Sequence, residues 1–288
     1  MIEADRARRL CALFLALTLF LFAGCGAKGK NEVPVAEEPF AGLEVTVLDA
    51  GKADAILLTT PDSAVLIDCG EKGFGDEILA ELSARGIDRL DVLIVTHFDR
   101  DHVGGAARVI GGIGIGRVLQ SVCPKENGEY RKYLRALEKA SLRAETPRES
   151  LSFTLGGAEY TVDPPQREHY DRDESNNSSL IVTVVYGGTR LLFMGDAETA
   201  RISEYLASSP AGCELIKLPH HGEKEKMLDA LLAALQPRYA VITCSAGAPE
   251  ADSTRKALET AGVETYLTRL GAVRIRSDGV TLTVGYVG

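Results

Sequence analysis

The pattern of hydrophobic and polar positions changes character after residue 40, where short apolar runs begin to alternate with amphipathic segments. Apolar or alternating runs bounded by turn residues predict strands, and apolar positions three or four apart predict helices. The predicted strands cover 43–48, 55–60, 64–69, 91–95, 182–186, 190–194, 214–218, 239–243 and 263–268. The predicted helices cover 76–85, a segment from about Val103, 126–140, 198–207, 225–235 and 252–261.

Turn residues separate these elements and suggest how they are arranged. Pro61-Asp62-Ser63 joins two predicted strands, Gly187-Gly188 predicts a hairpin, and a last hairpin crosses Ser277-Asp278-Gly279. The strands fall into two groups, each with helices beside it. Two sheets packed face to face with helices outside would use this order. We therefore predict one α/β domain over 42–288, an αββα four-layer sandwich, although the pattern alone fits several α/β arrangements.

The first 25 residues have a different pattern. Arginines at positions 6, 8 and 9 precede an apolar run over 10–23, which is short for a membrane span, and Gly24-Cys25 follows. A basic start, a short apolar core and small residues before the cut are typical of a secretory signal. The end of this segment resembles the bacterial lipobox, with Phe22 where leucine is usual. We expect Cys25 to be lipidated, although an uncleaved anchor or a plain secretory peptide would also fit.

The segment 26–41 is rich in Lys, Gly, Asn, Glu and Pro and has few large apolar side chains. This composition predicts a flexible tether. Together with the lipidated cysteine, it predicts an extracytoplasmic domain anchored to a bacterial membrane through the N-terminus. No segment of the sequence points to an obligate protein partner.

Charge narrows the range of functions. The net charge is −9 over 288 residues, and removal of residues 1–24 takes away three arginines and two acids, which leaves −10. Tight binding to nucleic acid depends on Lys and Arg contacts to phosphate, so this balance argues against a general nucleic-acid binder. It does not exclude an enzyme that meets phosphate through metal ions.

Four cysteines remain after Cys11 and Cys25 are set aside, and their spacing is wide: Cys69, Cys123, Cys213 and Cys244. This spacing lacks the Cys-x-x-Cys pairs of zinc sites. We predict buried, small apolar side chains. A disulfide in an oxidising compartment is the alternative.

The candidate chemistry is concentrated directly after the apolar run 91–95. His97, Asp99, Asp101 and His102 fall within six residues, and Gly104-Gly105 follows them. Imidazole and carboxylate groups together suit Zn²⁺, Mn²⁺ or iron. Side chains after the carboxyl end of a buried strand lie at the usual mouth of an α/β site. A solvated polar loop is the alternative, but four candidate ligands in this pattern favour a metal site.

This His-x-Asp-x-Asp-His segment resembles the signature of the metallo-β-lactamase superfamily, which usually has His where Asp99 stands. Aspartate there, followed by Gly-Gly, resembles the branch that contains the C-terminal domain of the competence protein ComEC. Further segments match that branch in order: 47–56, 66–70, 176–180, 192–198 and 218–222. The resemblance covers about 43–285 and implies a metallo-β-lactamase-like fold.

The resemblance implies two divalent metal ions, Zn²⁺ or Mn²⁺. His97 and Asp99 would bind one, Asp101 and His102 would bind the other, and Asp196 would bridge them. The site would activate a water for attack on phosphorus or a carbonyl.

The remaining implied roles lie in the His220-His221 pair and in nearby polar residues. One histidine of the pair would complete a metal shell, and the other would contact substrate or move a proton. Asp101 and His221 are the candidate catalytic residues.

Supporting roles are expected for several other polar residues. Asp68 would hold the loop that carries the first histidine, and Asp54 would support the ligands from behind. Asn177 and Ser178 would orient substrate or simply form a turn. Lys217 is either a surface charge or a phosphate contact, and the sequence does not decide between them.

Three positions depart from the pattern of the ComEC-like branch. Lys52-Ala53 replaces a usual Gln-Gly, Glu223 replaces a small hydroxyl residue after the histidine pair, and Ala248 stands where a histidine usually precedes proline. The last change removes an imidazole expected near the site, which puts activity in doubt more than fold.

The predicted function is an extracytoplasmic metal-dependent hydrolase with a dinuclear site, acting on phosphoesters as a nuclease or phosphodiesterase does. The substrate would then be a phosphoester, with nucleic acid as one case. Two alternatives stay open. One is a hydrolase of a non-phosphate ester, thioester or lactone, and the other is a non-catalytic or weakly active envelope binding protein with a degraded site.

Overall fold

Fifteen strands and eight α-helices make up the part of the chain that the computed structural model describes, residues 40–287. The strands are β1 (Leu43–Val47), β2 (Ile56–Thr60), β3 (Ser63–Ile67), β4 (Arg89–Val95), β5 (Gly114–Gln120), β6 (Ala144–Glu145), β7 (Leu151–Leu155), β8 (Ala158–Asp163), β9 (Ile181–Tyr186), β10 (Thr189–Phe193), β11 (Leu215–Lys217), β12 (Tyr239–Ile242), β13 (Glu264–Leu267), β14 (Val273–Ser277) and β15 (Leu282–Tyr286). The helices are α1 (Gly75–Ala84), α2 (Arg100–Val103), α3 (Ala106–Ile110), α4 (Gly128–Lys139), α5 (Glu174–Asn177), α6 (Thr199–Ala207), α7 (Leu228–Leu235) and α8 (Asp252–Ala261). Short 3₁₀ turns occupy Pro219–Gly222 and Thr268–Leu270.

The strands form two mixed sheets. The first has the order β15-β14-β1-β2-β3-β4-β5-β6, and the second has the order β13-β12-β11-β10-β9-β8-β7. In the first sheet β3, β4, β5 and β6 pair in parallel, and in the second β10, β11, β12 and β13 do so. Each sheet therefore presents the carboxyl ends of parallel strands at one edge, where α/β proteins usually place their sites.

The core lies between the sheets and under the helices on both outer faces. Along β3, Val65 and Ile67 join the apolar cluster between the sheets, whereas Leu66 packs with Ile78 of α1 on the outer side. Successive side chains of a strand point to opposite faces, so a strand covered on both sides needs a continuous apolar run. A third cluster packs α6, α7 and α8 on the other sheet. This arrangement confirms the predicted αββα sandwich.

Most predicted elements are present, with ends that shift by one to three residues. The helix expected from about Val103 instead begins at Arg100 and is divided into α2 and α3. The division falls at Gly104 and Gly105. The chain passes close to another loop there, and a Cβ at Gly105 would overlap the carbonyl oxygen of Cys69. The strands β5, β7 and β8 were not predicted. They lie toward the sheet edges and carry glycine, serine and threonine in partly exposed positions.

The cysteine prediction is largely confirmed. The four cysteines of the described range are free thiols, and Cys69, Cys213 and Cys244 are buried while Cys123 is partly exposed. No helix within residues 40–287 is long and apolar enough to cross a membrane. The predicted signal segment, the lipidated Cys25 and the tether lie outside the described residues, apart from the last two tether positions, and stay predictions.

Candidate metal centre

The candidate ligands lie where parallel strands of both sheets end. His97 follows β4, Asp196 follows β10, and His221 lies in the 3₁₀ turn after β11. Asp101 and His102 belong to the short helix α2. This helix is held near the end of β3, because the His102 carbonyl accepts a hydrogen bond from Cys69 N at 2.7 Å. The site thus draws on both sheets.

Four predicted ligands converge into one cluster, consisting of Asp101, His102, Asp196 and His221. One ligand atom from each lies within 4.8 Å of those of the others. His102 Nε2 lies 3.1 Å from Asp196 Oδ1, and His221 Nε2 lies 3.3 Å from Asp196 Oδ2 and 3.4 Å from Asp101 Oδ2. Both imidazoles and Asp196 are buried, whereas Asp101 keeps an exposed side.

Several of these atoms are buried without a well-aligned hydrogen bond to any described residue: His97 Nε2, His102 Nε2, His221 Nε2 and Asp196 Oδ1. Buried polar atoms left in this state are costly, and nearly all such atoms in proteins find a partner. A divalent cation among them would supply that partner. His and Asp in this combination suit Zn²⁺ or Mn²⁺, so the residues present fit the metal that the fold implies.

Outer hydrogen bonds orient two of the imidazoles. His102 Nδ1 donates to Asp68 Oδ2 at 2.8 Å, and His221 Nδ1 lies 2.9 Å from Thr243 Oγ1 and 3.1 Å from the Thr243 carbonyl. Such contacts fix the ring and leave Nε2 available for a metal. Asp68 also accepts from Thr96 N at 2.8 Å and from Thr96 Oγ1 at 2.6 Å, which are the contacts predicted for it from the sequence.

A buried ion pair supports the cluster from behind. The Lys217 ammonium donates to Asp54 Oδ2 and, at 3.3 Å, to the Gly195 carbonyl, and Lys217 has no exposed surface. The interpretation of Lys217 as a surface charge is therefore wrong. Asp54 also accepts from Thr243 Oγ1 at 2.6 Å, so it steadies the residue that orients His221. Burial alone would raise the pKa of Asp54, but Lys217 and the imidazoles more than offset this and leave it lowered.

His97 and Asp99 occupy the neighbouring part of the site. His97 adjoins two members of the cluster: its Nε2 lies 3.9 Å from Asp196 Oδ2, and its ring centroid lies 4.1 Å from that of His102. Asp99 lies outside that cluster, and its Oδ1 accepts hydrogen bonds from both Lys125 and Ser175. A cavity of about 370 Å³ opens beside Asp99 and is lined by Lys125 and Ser175 among others.

The two adjacent histidines face different surroundings. His220 and His221 both have positive φ angles, 46° and 54°, and their ring centroids are 6.2 Å apart. His221 enters the cluster, whereas His220 Nδ1 lies 3.2 Å from Glu198 Oε1. The structure thus does not bring His220 into the cluster. Burial raises the pKa of Glu198 to about 7.

Asn177 and Ser178 make local contacts in the turn before β9. Asn177 Oδ1 accepts from Arg201 N at 3.0 Å, and its amide nitrogen donates to the Arg172 carbonyl at 3.1 Å. Ser178 Oγ donates to the Ser175 carbonyl at 2.6 Å. These contacts match the plain turn role that the sequence left open beside substrate binding.

The imidazoles of the cluster differ in charge. Burial and the neighbouring His102 lower the pKa of His97 to about 4. Burial opposes the charged form of His221 as well, but Asp196 and Asp101 outweigh it and raise the pKa of His221 to about 8. Asp196 in turn has a pKa well below its usual range, because the two cationic imidazoles outweigh the effect of its burial. The cluster therefore combines an anionic bridge with two imidazoles that hold protons until a cation displaces them.

Several contributors to the site were not predicted. Thr243 directly follows β12, and a hydroxyl residue in the otherwise apolar run 239–243 was the one available signal. Lys125, in the loop before α4, and Ser175, in α5, also contact Asp99, and neither belongs to a segment that the sequence singled out. Of the positions that depart from the branch pattern, Lys52 and Glu223 form an ion pair with each other, and Ala248 closes a small turn with Ser245.

Comparison with known proteins decides the family. The profile described as the Metallo-beta-lactamase superfamily matches residues 48–245, which include nearly all of the candidate ligands and their supports. The chain belongs to the metallo-beta-lactamase superfamily. Its relatives include ComE operon protein 3 of Bacillus subtilis, 28% identical over 222 residues, covering 69% of this chain and 28% of that protein. Competence protein ComA of Neisseria gonorrhoeae is 30% identical over 201 residues, covering 68% and 26%. The resemblance to a ComEC-like branch is confirmed.

This superfamily member spans only about a quarter of the length of those curated relatives. Among solved structures, the metallo-beta-lactamase fold protein YhfI of Bacillus subtilis matches with a TM-score of 0.56 and 12% identity, covering 85% of this chain and 100% of that chain. CmlA, a diiron beta-hydroxylase from Streptomyces venezuelae, matches with a TM-score of 0.53 and 16% identity, covering 83% and 55%. At these identities the two structures establish the fold alone.

Proposed function

We propose that this protein is a metal-dependent hydrolase of phosphoesters, of the nuclease or phosphodiesterase type. The observation that carries the proposal is the convergence of buried, unpartnered ligand atoms from His102, Asp196 and His221 beside the partly exposed Asp101. A bound cation would supply the partner that these buried atoms lack. The superfamily fold, in which metal-dependent hydrolysis is common, supports a hydrolytic role.

The ligand set supports a phosphoester substrate. Three aspartates, Asp99, Asp101 and Asp196, give the site more carboxylate than a histidine-dominated centre would have, which suits Mn²⁺ as well as Zn²⁺. Bound cations would supply Lewis acidity and lower the pKa of a water. The name of one relative refers to competence, which supports a nucleic acid as one candidate substrate.

The candidate residues would have different roles in metal and substrate binding. His97 and Asp99 would hold one cation, His102 and His221 would hold the other with Asp101, and Asp196 would serve both. Asp101 and His221 would face the reacting groups in this assignment, since Asp101 is the member of the cluster that keeps an exposed side, with 26% of its side chain exposed. His220, paired with Glu198 outside the cluster, would contact substrate.

We also propose that the domain acts outside the cytoplasm, tethered through a lipidated Cys25. The support is the basic and apolar pattern of residues 1–25 together with the acidic domain that follows. Labelling of cells with radioactive palmitate, comparing wild type with Cys25→Ala, would test the anchor. Loss of label in the variant is the expected result, and equal labelling would overturn it.

The activity is tested with bis-p-nitrophenyl phosphate in the presence of added Mn²⁺ or Zn²⁺. We expect turnover by the wild-type protein and its loss in His97→Ala, because His97 Nε2 has no described partner other than the site. His169→Ala is the matched control, since the His169 side chain is 86% exposed and pairs with Glu174. Full turnover in His97→Ala, or none in the wild type, would contradict the proposal.

A second candidate is a non-catalytic or weakly active binding protein. The arrangement of Asp99 favours it, because Lys125 and Ser175 already occupy one of the two carboxylate oxygens of Asp99. Absence of turnover of phosphate, carboxylate and thioester substrates, combined with retained metal, would support this candidate. Turnover of only a carboxyl ester or thioester would instead identify a hydrolase of another class.

A further inference from the structure

An ion pair crosses the rim of the metal centre. Lys52 Nζ contacts Glu223 Oε1, and the two residues are 171 positions apart in the chain. Lys52 lies in the loop after β1, two residues before Asp54, and Glu223 directly follows the turn that carries His221. The pair therefore joins a loop of the first sheet to a loop of the second, two residues from Asp54 in the first and two residues from His221 in the second.

This ion pair is not needed to hold the two loops together. The side chains of Lys52 and Glu223 are 30% and 48% exposed, and pairs this exposed contribute little to stability. Buried contacts already fix the Lys52 loop, because Asp54 binds Lys217 and Thr243 and its backbone N–H donates to the Asp101 carbonyl at 3.1 Å. What the pair changes is the charge at the mouth of the site.

The backbone of Glu223 is held in place at the mouth. Glu223 N donates to the His220 carbonyl at 2.9 Å, and the Glu223 carbonyl accepts from Thr254 Oγ1 at 3.0 Å. Gly222 before it has φ +72°, and a Cβ there would lie 2.9 Å from Ile242. The backbone of Glu223 is thereby fixed next to the turn that carries His221, and a Glu223 carboxylate left uncovered there would repel an approaching anion.

We propose that Lys52 is a specificity-determining residue, which lets the site admit an anionic phosphoester by neutralising Glu223 at its mouth. The inference rests on the proposed function, since it concerns which substrates reach the same centre. It assigns a task to two positions at which the sequence departs from the pattern it otherwise resembles.

The test compares Lys52→Met, Glu223→Gln and the double variant with the wild-type protein, all loaded with Zn²⁺. Lys139→Met is the control, because Lys139 is an exposed lysine at the end of α4. Calorimetry measures the binding of inorganic phosphate, and kinetics compare the anionic bis-p-nitrophenyl phosphate with the neutral p-nitrophenyl acetate. Metal content is measured for every variant.

We expect Lys52→Met to weaken phosphate binding and to raise KM for the anionic ester by about five- to tenfold, the effect of one uncovered charge at a partly solvated distance. The metal content, kcat and the kinetics with the neutral ester should stay unchanged. Adding Glu223→Gln should restore the phosphate affinity and the KM for the anionic ester to within about twofold of wild type, since the uncovered carboxylate is then gone.

Two results would overturn the role of Lys52: phosphate affinity in Lys52→Met equal to that of the wild type, or a loss that Glu223→Gln does not restore. Equal losses with the charged and the neutral ester would overturn it as well, because they would indicate a structural effect. Failure of the wild type to hydrolyse the anionic ester would overturn the proposed function instead. Phosphate binding thus separates the two failures.

Discussion

At the scale of single residues, the site depends on which nitrogen of each imidazole is committed to the protein. His102 and His221 both commit Nδ1 to an oxygen of the chain, Asp68 or Thr243, and both leave Nε2 toward Asp196. Fixing the ring in this way lowers the entropy lost when a cation binds and raises the basicity of the ligand. The residues behind the ligands therefore decide affinity along with the ligands themselves.

Asp68→Asn tests this dependence. An amide retains the shape of Asp68 but removes an anionic acceptor shared by Thr96 and His102. We expect metal affinity to fall by about 10- to 100-fold, as is usual for such supporting contacts, measured by competition with a chelator. Asp62→Asn, in an exposed turn, is the control and should bind metal like the wild type. Unchanged affinity in Asp68→Asn would show that the contact does not act on the metal.

The charge state of His221 predicts a pH dependence of stability in the metal-free protein. Its folded pKa of about 8 lies above the ordinary value of 6.5. The resulting stabilisation is fully present below pH 6.5 and is lost as the pH rises through 8. We expect the free energy of unfolding, measured in urea, to fall by about 2 kcal/mol between these limits. His221→Gln should flatten this slope, and an equal slope in that variant would contradict the assignment.

The same protonation predicts the opposite trend for metal binding. A cation needs the neutral imidazole, so at neutral pH it must displace the proton on His221. We expect the apparent metal affinity to rise as the pH rises through about 8, the pKa of His221. Calorimetry in two buffers of different ionisation enthalpy should show proton release at pH 7. Binding without proton release would contradict the raised pKa.

At the scale of elements, the short α2 owes its position to glycine. Gly104 and Gly105 allow the chain to pass against the loop that follows β3: a Cβ at Gly104 would overlap the backbone of Glu71 and Lys72, and one at Gly105 would overlap the Cys69 carbonyl oxygen. This close passage turns Asp101 and His102 back toward the end of β3. The sequence pattern predicted a helix from about Val103 that continues through these glycines, because hydrophobic periodicity carries no information about backbone overlap.

Gly105→Ala should therefore destabilise the protein by about 1–3 kcal/mol, the usual range for overpacking, and should also weaken metal binding. Gly111→Ala is the matched control, since it lies at the end of α3 and its Cβ would be 3.4 Å from the Ala107 carbonyl oxygen. Urea unfolding of the two variants measures the difference. Equal stabilities would show that the passage tolerates a methyl group.

Elements with strong signals were predicted well, and the weaker ones were missed for a physical reason. The buried β4 and the amphipathic α4 have a continuous apolar run and a clear helical period. In contrast, β7 and β8 lie at the edge of the second sheet, where alternate positions are exposed and short polar residues are tolerated. Their pairing is set by the sheet that receives them, and local sequence does not record it.

In the candidate site, too, some residues could be predicted from the sequence and others could not. His97, Asp99, Asp101 and His102 stood out because they are close in sequence, and Asp196 and His221 were named only through the resemblance to a family. Thr243 and Lys125 belong to the site through tertiary contacts alone. Sequence spacing can identify ligands that share one loop. Residues that come together from two sheets can be identified only once the fold is known.

At the scale of the whole molecule, the two sheets are joined at the site by a buried ion pair. Lys217 ends β11 of the second sheet, and Asp54 belongs to a loop of the first. The edges of both sheets that carry parallel strands meet there. The site therefore depends on both halves of the fold being assembled, and metal binding should report on the whole domain.

Lys217→Met measures this link. Removing one partner leaves Asp54 buried and uncompensated, so we expect the free energy of unfolding to fall by about 3–5 kcal/mol. Lys217→Met combined with Asp54→Asn should recover part of the loss, because the uncompensated charge is then absent. Lys256→Met, on the exposed side of α8, is the control and should be near neutral. A loss no larger than that of the control would contradict the role of the pair.

The central claim is that Asp196 and His221 hold a divalent cation with Asp101 and His102, and metal content tests it most directly. Wild type, Asp196→Asn, His221→Gln and His169→Ala would each be loaded with Zn²⁺, separated from free metal and measured by mass spectrometry. We expect at least one tightly held ion per chain in the wild type and in His169→Ala, and far less in Asp196→Asn and His221→Gln. A wild-type protein without metal, or an Asp196→Asn variant that retains as much as the wild type, would contradict it.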